Sequence, residues 1–212
     1  MFQLACHFAF TPSSKKVILD KKEFSMNFIN LLTKGRILIT TLLVIAGIAL
    51  KIFVFETGPS SILRDWYAQM GALIAVLGLL LRTWAAGIIK KNKRLSTSGP
   101  YHVCRNPLYL GSFLIATGLI IILNEPYLWI ILFVMILLYI PKIAQEEKKL
   151  GGLFPEDFPK YRNITGVFFP KKLSLDRITC RWALEQWLHN KEYQAWLAVL
   201  VAFMVFEIWN GI

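Results

Sequence analysis

The 212 residues are 56% hydrophobic and 14% aromatic and carry 24 Lys and Arg against 13 Asp and Glu, a formal charge of +11. With a mean hydropathy of +0.52 and apolar runs longer than a soluble core requires, this composition excludes a soluble nucleic-acid binder and identifies the basic excess as positive-inside charge of an integral membrane protein. Cys6, Cys104 and Cys180 are too widely separated for a disulfide framework or a zinc site, so no metal partner is expected.

Met1 to Phe10 is apolar, but no charged region precedes it and no clear cleavage site follows, so no cleavable signal is expected; Met26 is a plausible alternative initiator. Lys15, Lys16, Lys21, Lys22, Lys34 and Arg36 precede the first long apolar run, Ile37 to Phe55, which places residues 1–36 in the cytoplasm. Glu56-Thr57-Gly58-Pro59 ends this span. Trp66 and Tyr67 supply interfacial aromatics before a second span, Ala68 to Ile89, so that residues 37–89 hold two crossings. Lys90, Lys91, Lys93, Arg94 and Arg105 return the chain to the cytoplasm.

A third span, Leu108 to Leu123, is separated from a fourth, Tyr127 to Ala144, only by Asn124-Glu125-Pro126, which predicts an antiparallel hairpin. Pro141 is expected to bend the fourth span and steer Lys142 and Glu146, four apart on one face, towards the preceding loop. From Glu147 to Lys191 the chain reads as cytoplasmic short helices and turns. Within it, Leu175, Ile178 and Trp182, with Arg177 and Arg181 between them, predict an interfacial amphipathic helix. Asn163-Ile164-Thr165 matches the glycosylation pattern on the wrong side of the membrane. Tyr193 to Trp209 is a fifth span and places the C-terminus outside. The expected fold is therefore all-α, a polytopic membrane bundle of about five transmembrane helices.

The stretch Gly99 to Gly111 organises the chain. Gly99-Pro100 is a turn signal, and Pro107 opens a helix, because its missing N–H is harmless at the first helical position. Arg105, Asn106 and the helix N-terminus then converge on one point suited to a carboxylate or phosphate. The other reading is a tight loop whose basic residue faces lipid headgroups. Arg82 lies within the second span, where an unpaired charge costs several kcal/mol, so it faces the bundle or a wet cavity unless it snorkels. Glu146 and Glu147 are a site pair or a solvated acidic pair. Tyr101 and Tyr109 point inwards or belong to the interfacial belt. Cys104 has only His102 nearby in sequence and is expected to be inert, and Glu207 is expected to snorkel.

Gly99-Pro100-Tyr101, Arg105-Asn106-Pro107-Leu108-Tyr109-Leu110-Gly111 and Glu146-Glu147 followed by Leu150, Phe154 and Tyr161, together with Gly78 and Arg82, resemble the isoprenylcysteine carboxyl methyltransferase and phospholipid methyltransferase superfamily. The resemblance implies a methyltransferase-like core over residues 90–170, followed by residues 171–212 as the interfacial helix and fifth span. It implies methyl transfer from S-adenosylmethionine, bound in a cytoplasmic pocket, to a lipid or isoprenylated acceptor, either carboxylate or amine. The family's cofactor site falls on Lys93, Arg94, Leu95, Ser96, Tyr101, Asn106, Pro107, Leu108, Tyr109, Lys142 and Glu146. The cofactor's amino group then faces Glu146, its carboxylate faces Asn106, Lys142 and the helix N-terminus, and its sulfonium faces Tyr101 or Tyr109.

Arg82, Arg105 and Glu147 are the candidate catalytic residues: Arg82 orients an anionic acceptor, Arg105 stands at the anion-holding point, and Glu147 is the base an amine acceptor would need. Asn106 stands where the family usually has histidine, Lys142 where it has arginine and Pro155 where glycine is common. Asparagine keeps a donor and loses titration; lysine keeps charge and loses the bidentate fork. Two other readings remain. Sterol-type reductases share an Arg-x-Pro-x-Tyr-x-Gly loop for a nicotinamide cofactor, but Ser112 follows Gly111 here where they commonly have an acid. A relative that kept the fold and lost the chemistry is the third.

Overall fold

The computed structural model describes residues 35, 38–40, 42–55, 58–90, 94–171 and 181–211. The N-terminal basic cluster, Glu56, Thr57, Lys91, Lys93, Leu175, Arg177 and Ile178 lie outside the described residues. Among the described residues, eight helices follow in order: α1 Leu38–Phe53, α2 Trp66–Ala86, α3 Pro100–Val103, α4 Pro107–Leu123, α5 Tyr127–Leu153, α6 Asp157–Ile164, α7 Leu184–His189 and α8 Tyr193–Gly211. Two isolated bridges, Cys104 with Gly166 and Thr165 with Pro170, are the β pairing among the described residues, so the fold is all-α. α2, α5 and α8 are long and apolar enough to cross a membrane; α1 and α4 are shorter apolar helices. At 1.5 Å per residue, α4 extends about 25 Å.

Local chemistry explains the ends of α4. Pro107 occupies its first turn behind a non-helical Asn106, and Asn124, with φ 53°, turns left-handed to stop it, a conformation asparagine tolerates better than most residues. α5 differs from expectation. In place of a span ending at Ala144, one helix of 27 residues continues through Pro141 to Leu153, and the expected short helices, α6 and α7, come only after it. Proline removes only one intrahelical bond, and the strong helix formers after it, with Lys142 and Glu146 paired at 3.4 Å, carry the helix on.

The closest backbone approach joins α2 to α4. Gly71 and Gly78 on α2 face Gly118 and Gly111 on α4, seven residues apart on each helix and running antiparallel. A Cβ on Gly78 would stand 2.6 Å from the Gly111 carbonyl oxygen, and one on Gly71 would stand 2.7 Å from that of Gly118. Small residues let helices touch where no hydrophobic force drives them together, as in a bilayer. The α4–α5 hairpin closes at its turn, where Ile120, Leu128 and Leu132 form a buried cluster. Outward-facing Ile130, Phe133 and Leu137 on α5 and Leu197, Val201, Met204 and Ile208 on α8 are exposed, surfaces suited to lipid.

At the end of the bundle far from the motif loop, Lys51 opens a π-helical turn, Lys51–Phe55, and donates to the Leu123 carbonyl at 2.7 Å and to Glu125 at 2.8 Å. Glu207 does not snorkel: its carboxylate accepts from the Ile62 and Leu63 amides and from Ser61 Oγ, satisfying donors that the turn before α2 leaves open. Trp182 is not helical. It lies in extended chain before α7, and its indole N–H donates to the Thr83 carbonyl at 2.9 Å.

Candidate active site

The motif loop is built from its glycine and prolines outward. Gly99 adopts φ 62°, ψ −133°, a conformation open to glycine alone, and delivers Pro100 into the one-turn helix α3. The chain then extends at Cys104 and runs beside residues 166–167: the Arg105 amide donates to Gly166 O at 2.9 Å and the Asn106 amide to Val167 O at 3.3 Å. Both backbone amides are thereby satisfied within the protein itself.

Arg105 likewise turns inward. Its side chain is 6% exposed, and Nε donates to Glu147 Oε1 at 2.8 Å while Nη1 donates to the Thr165 and Arg162 carbonyls. The pair clamps the loop to α5 and to the end of α6, and Arg162 approaches the other Glu147 oxygen at 4.0 Å. Arg105, expected to stand at an anion-holding point with Asn106 and the helix end, is held in an internal lock, because the segment after α6 supplies acceptors that no local pattern announced. Asn106 Nδ2 reaches only to within 3.5 Å of Val167 O.

Tyr109, Lys142 and Glu146 do come together. Tyr109 Oη donates to Glu146 Oε1 at 2.9 Å, and Lys142 Nζ stands 3.4 Å from the same oxygen. Tyr109 packs edge-on against Tyr139, which also meets Phe113, and Phe113 meets Phe168. Arg94, Leu95 and Ser96 line a separate cavity of about 360 Å³, with Lys90, Ser98 and Arg181; Tyr109, Lys142 and Glu146 do not line it. Pro107 is buried at the start of α4, and the Leu108 carbonyl accepts from Ser112 Oγ at 2.9 Å.

Arg82 faces the bundle and is paired. Nε and Nη2 donate to Glu192 at 3.0 and 2.8 Å, and Nη1 donates to Ser112 Oγ at 2.6 Å and Leu108 O at 3.3 Å. Glu192, 8% exposed, was not singled out by sequence. The signal available was the energetic need of Arg82 for a partner, together with an acid at the foot of the last apolar run.

Tyr101 is 5% exposed; its carbonyl accepts from Tyr161 Oη at 2.6 Å, and its own hydroxyl has no partner. Burial drives both phenols well above the usual tyrosine range, and the Cys104 thiol is pushed up to about 11 by burial, in keeping with an inert cysteine. Among the described residues no group of three or more His, Cys, Asp or Glu side chains is placed to hold a metal ion.

Residues 66–157, from the start of α2 to the start of α6, match the family model described as phospholipid methyltransferase. The chain is similar to the cobalt-zinc-cadmium resistance protein CzcN of Cupriavidus metallidurans, at 32% identity over 182 residues, 82% of this chain and 80% of that protein. It is 35% identical over 128 residues to the nickel-cobalt-cadmium resistance protein NccN of Alcaligenes xylosoxydans xylosoxydans, covering 57% of this chain and 59% of that one. Similarity to the protein-S-isoprenylcysteine O-methyltransferase of Saccharomyces cerevisiae runs over 114 residues at 35% identity, 48% of each chain. No solved structure matches significantly. An all-helical membrane bundle with the Gly99–Gly111 loop at its centre, matched over α2 to α5 and related at this level to a known methyltransferase, belongs to the isoprenylcysteine carboxyl methyltransferase and phospholipid methyltransferase superfamily.

Proposed function

We propose that this protein is an S-adenosylmethionine-dependent methyltransferase acting within the membrane on a lipid or prenyl-linked carboxylate, with five apolar helices as five crossings, the N-terminus cytoplasmic and the C-terminus outside. The observation that supports it most is the Tyr109–Glu146–Lys142 cluster at the cytoplasmic end of α5. The cofactor's amino-acid end carries an ammonium and a carboxylate. Glu146, partly exposed, and Lys142 offer the complementary pair side by side, so the residues present fit the group.

On this reading, Glu146 would hold the amino group and Lys142 the carboxylate, with the Tyr109 ring available to a cation. S-adenosylmethionine held there would supply an electrophilic methyl group carried on a sulfonium. The protein's part is orientation and exclusion of water, which strengthens when Arg105 and Glu147 hold the loop closed. Glu147 is committed to Arg105, which favours a carboxylate acceptor, already a nucleophile, over an amine that must first lose a proton. Ser112, occupied by Arg82, takes the place where a reductase would need an acid, which weighs against the nicotinamide reading.

Calorimetry of S-adenosylmethionine with the full chain in detergent tests this. Saturable binding that Glu146→Ala abolishes is expected. Absence of binding, or preference for a nicotinamide cofactor, overturns it in favour of a reductase or of a relative that Asn106 has left inactive. Asn106→His with unchanged cofactor affinity would remove the argument from that residue.

A further inference from the structure

Arg82 lies about one turn before the C-terminal end of the apolar helix α2, and its forked face is filled by a carboxylate of the same chain. Nε meets Glu192 Oε2 at 3.0 Å and Nη2 meets Oε1 at 2.8 Å, the parallel two-bond arrangement by which guanidinium recognises any carboxylate. Its remaining prong is fixed by Ser112 Oγ at 2.6 Å and the Leu108 carbonyl at 3.3 Å. The position therefore holds a complete carboxylate-binding fork.

A buried donor stands near this fork without an acceptor: the Tyr101 hydroxyl, on which the charges of both Glu192 and Arg82 act. A buried donor left unsatisfied costs stability, and a contact serving only to staple helices gives no reason for it. The stapling is already done elsewhere: Trp182 and Trp196 donate to Thr83 at 2.9 and 2.8 Å, Asn190 donates to Ala86 O at 2.8 Å, and the Ala183 amide donates to Gly87 O at 3.0 Å. Glu192, moreover, sits on the turn before α8, after Lys191 at φ 58°, so its carboxylate can move away without unwinding a helix.

We infer that Arg82, Ser112 and Tyr101 form the subsite for the carboxylate of an amphiphilic acceptor, and that Glu192 occupies this subsite as an internal competitor which the acceptor displaces. The inference rests on the methyltransferase reading for what becomes of that carboxylate, but binding itself needs no cofactor. It makes Glu192 a specificity device: an anionic headgroup repays the exchange, whereas a neutral one of equal chain length gains nothing from Arg82.

Oleate and oleyl alcohol, titrated separately into the purified full chain in a zwitterionic detergent, test it. Glu192→Gln should strengthen oleate binding about tenfold, since a fork occupied nine-tenths of the time lowers apparent affinity by that factor, and should leave the alcohol unchanged. Arg82→Gln should abolish oleate binding in both backgrounds. No gain with Glu192→Gln, or an equal gain for the alcohol, overturns the inference. Should that variant not fold, Tyr101→Phe decides: a several-fold loss for oleate alone supports the subsite, and unchanged oleate affinity overturns it. Failure of S-adenosylmethionine to bind would leave the oleate result standing, so the two readings fail separately.

Discussion

Gly78 and Gly111 press backbone against backbone, each in the space the other's side chain would need: a Cβ on Gly111 would stand 2.8 Å from the Gly78 carbonyl oxygen and 2.6 Å from Arg82 Cγ. Gly111→Ala is therefore expected to push α4 off α2 and tilt Arg82 away from Glu192, lowering stability by about 1–3 kcal/mol, the usual cost of overpacking. Gly152→Ala is the control. Nothing lies within 4 Å of its added carbon, so the helix should gain up to about 1 kcal/mol. Thermal unfolding in detergent reads both, and equal behaviour of the two variants would refute the close-approach argument.

Arg105 and Glu147 are both largely buried and paired at 2.8 Å. Arg105→Ala leaves Glu147 and the Thr165 carbonyl without their principal donor, and a loss of about 3–5 kcal/mol is expected. Pairing Arg105→Met with Glu147→Leu should recover part of that loss, because no lone charge remains. If the double variant is no more stable than Arg105→Ala, uncompensated charge is not the cause.

Tyr161→Phe removes the hydroxyl that donates to the Tyr101 carbonyl at 2.6 Å, and α6 then loses its hold on α3. About 1 kcal/mol should be lost, with the larger effect on protease sensitivity of residues 154–171. Unchanged cleavage there would mean that α6 is held by other contacts.

The raised Cys104, Tyr101 and Tyr161 give a pH dependence of known sign. Each binds its proton more tightly folded than unfolded, so its contribution is complete below the ordinary value and is lost as pH climbs through the folded one. For Cys104 the window runs from 9.0 to about 11, and the two phenols extend it upwards from 10.0. The unfolding midpoint should hold up to about pH 9 and then fall towards pH 11, and Cys104 should resist maleimide at neutral pH until the protein unfolds. Rapid labelling of Cys104 itself in the folded chain at neutral pH would contradict this.

What the sequence disclosed was local. Pro107 and Asn124 mark the ends of α4 because backbone preference acts within one or two residues, and Lys142 and Glu146 share a face because helical spacing is fixed. Tyr193 begins α8 where the apolar run begins. Long-range partnerships were not disclosed: Arg82 with Glu192, Arg105 with the carbonyls of α6 and beyond, and the residues 166–167 strip beside Cys104 to Asn106. Each depends on which way the chain turns after α5, and the passage of α5 through Pro141 to Leu153, contrary to the pattern, sets that turn.

The backbone strip joining Arg105 and Asn106 to Gly166 and Val167 has a consequence for engineering. The segment shared with the family ends at residue 157, yet the loop at its centre is zipped to chain beyond that boundary, and Arg82 reaches to Glu192 further still. A chimera exchanging only residues 66–157 would import a loop without its mate. The transplantable unit runs from α2 at least through Glu192, and swaps cut there should keep their shape where shorter ones lose it.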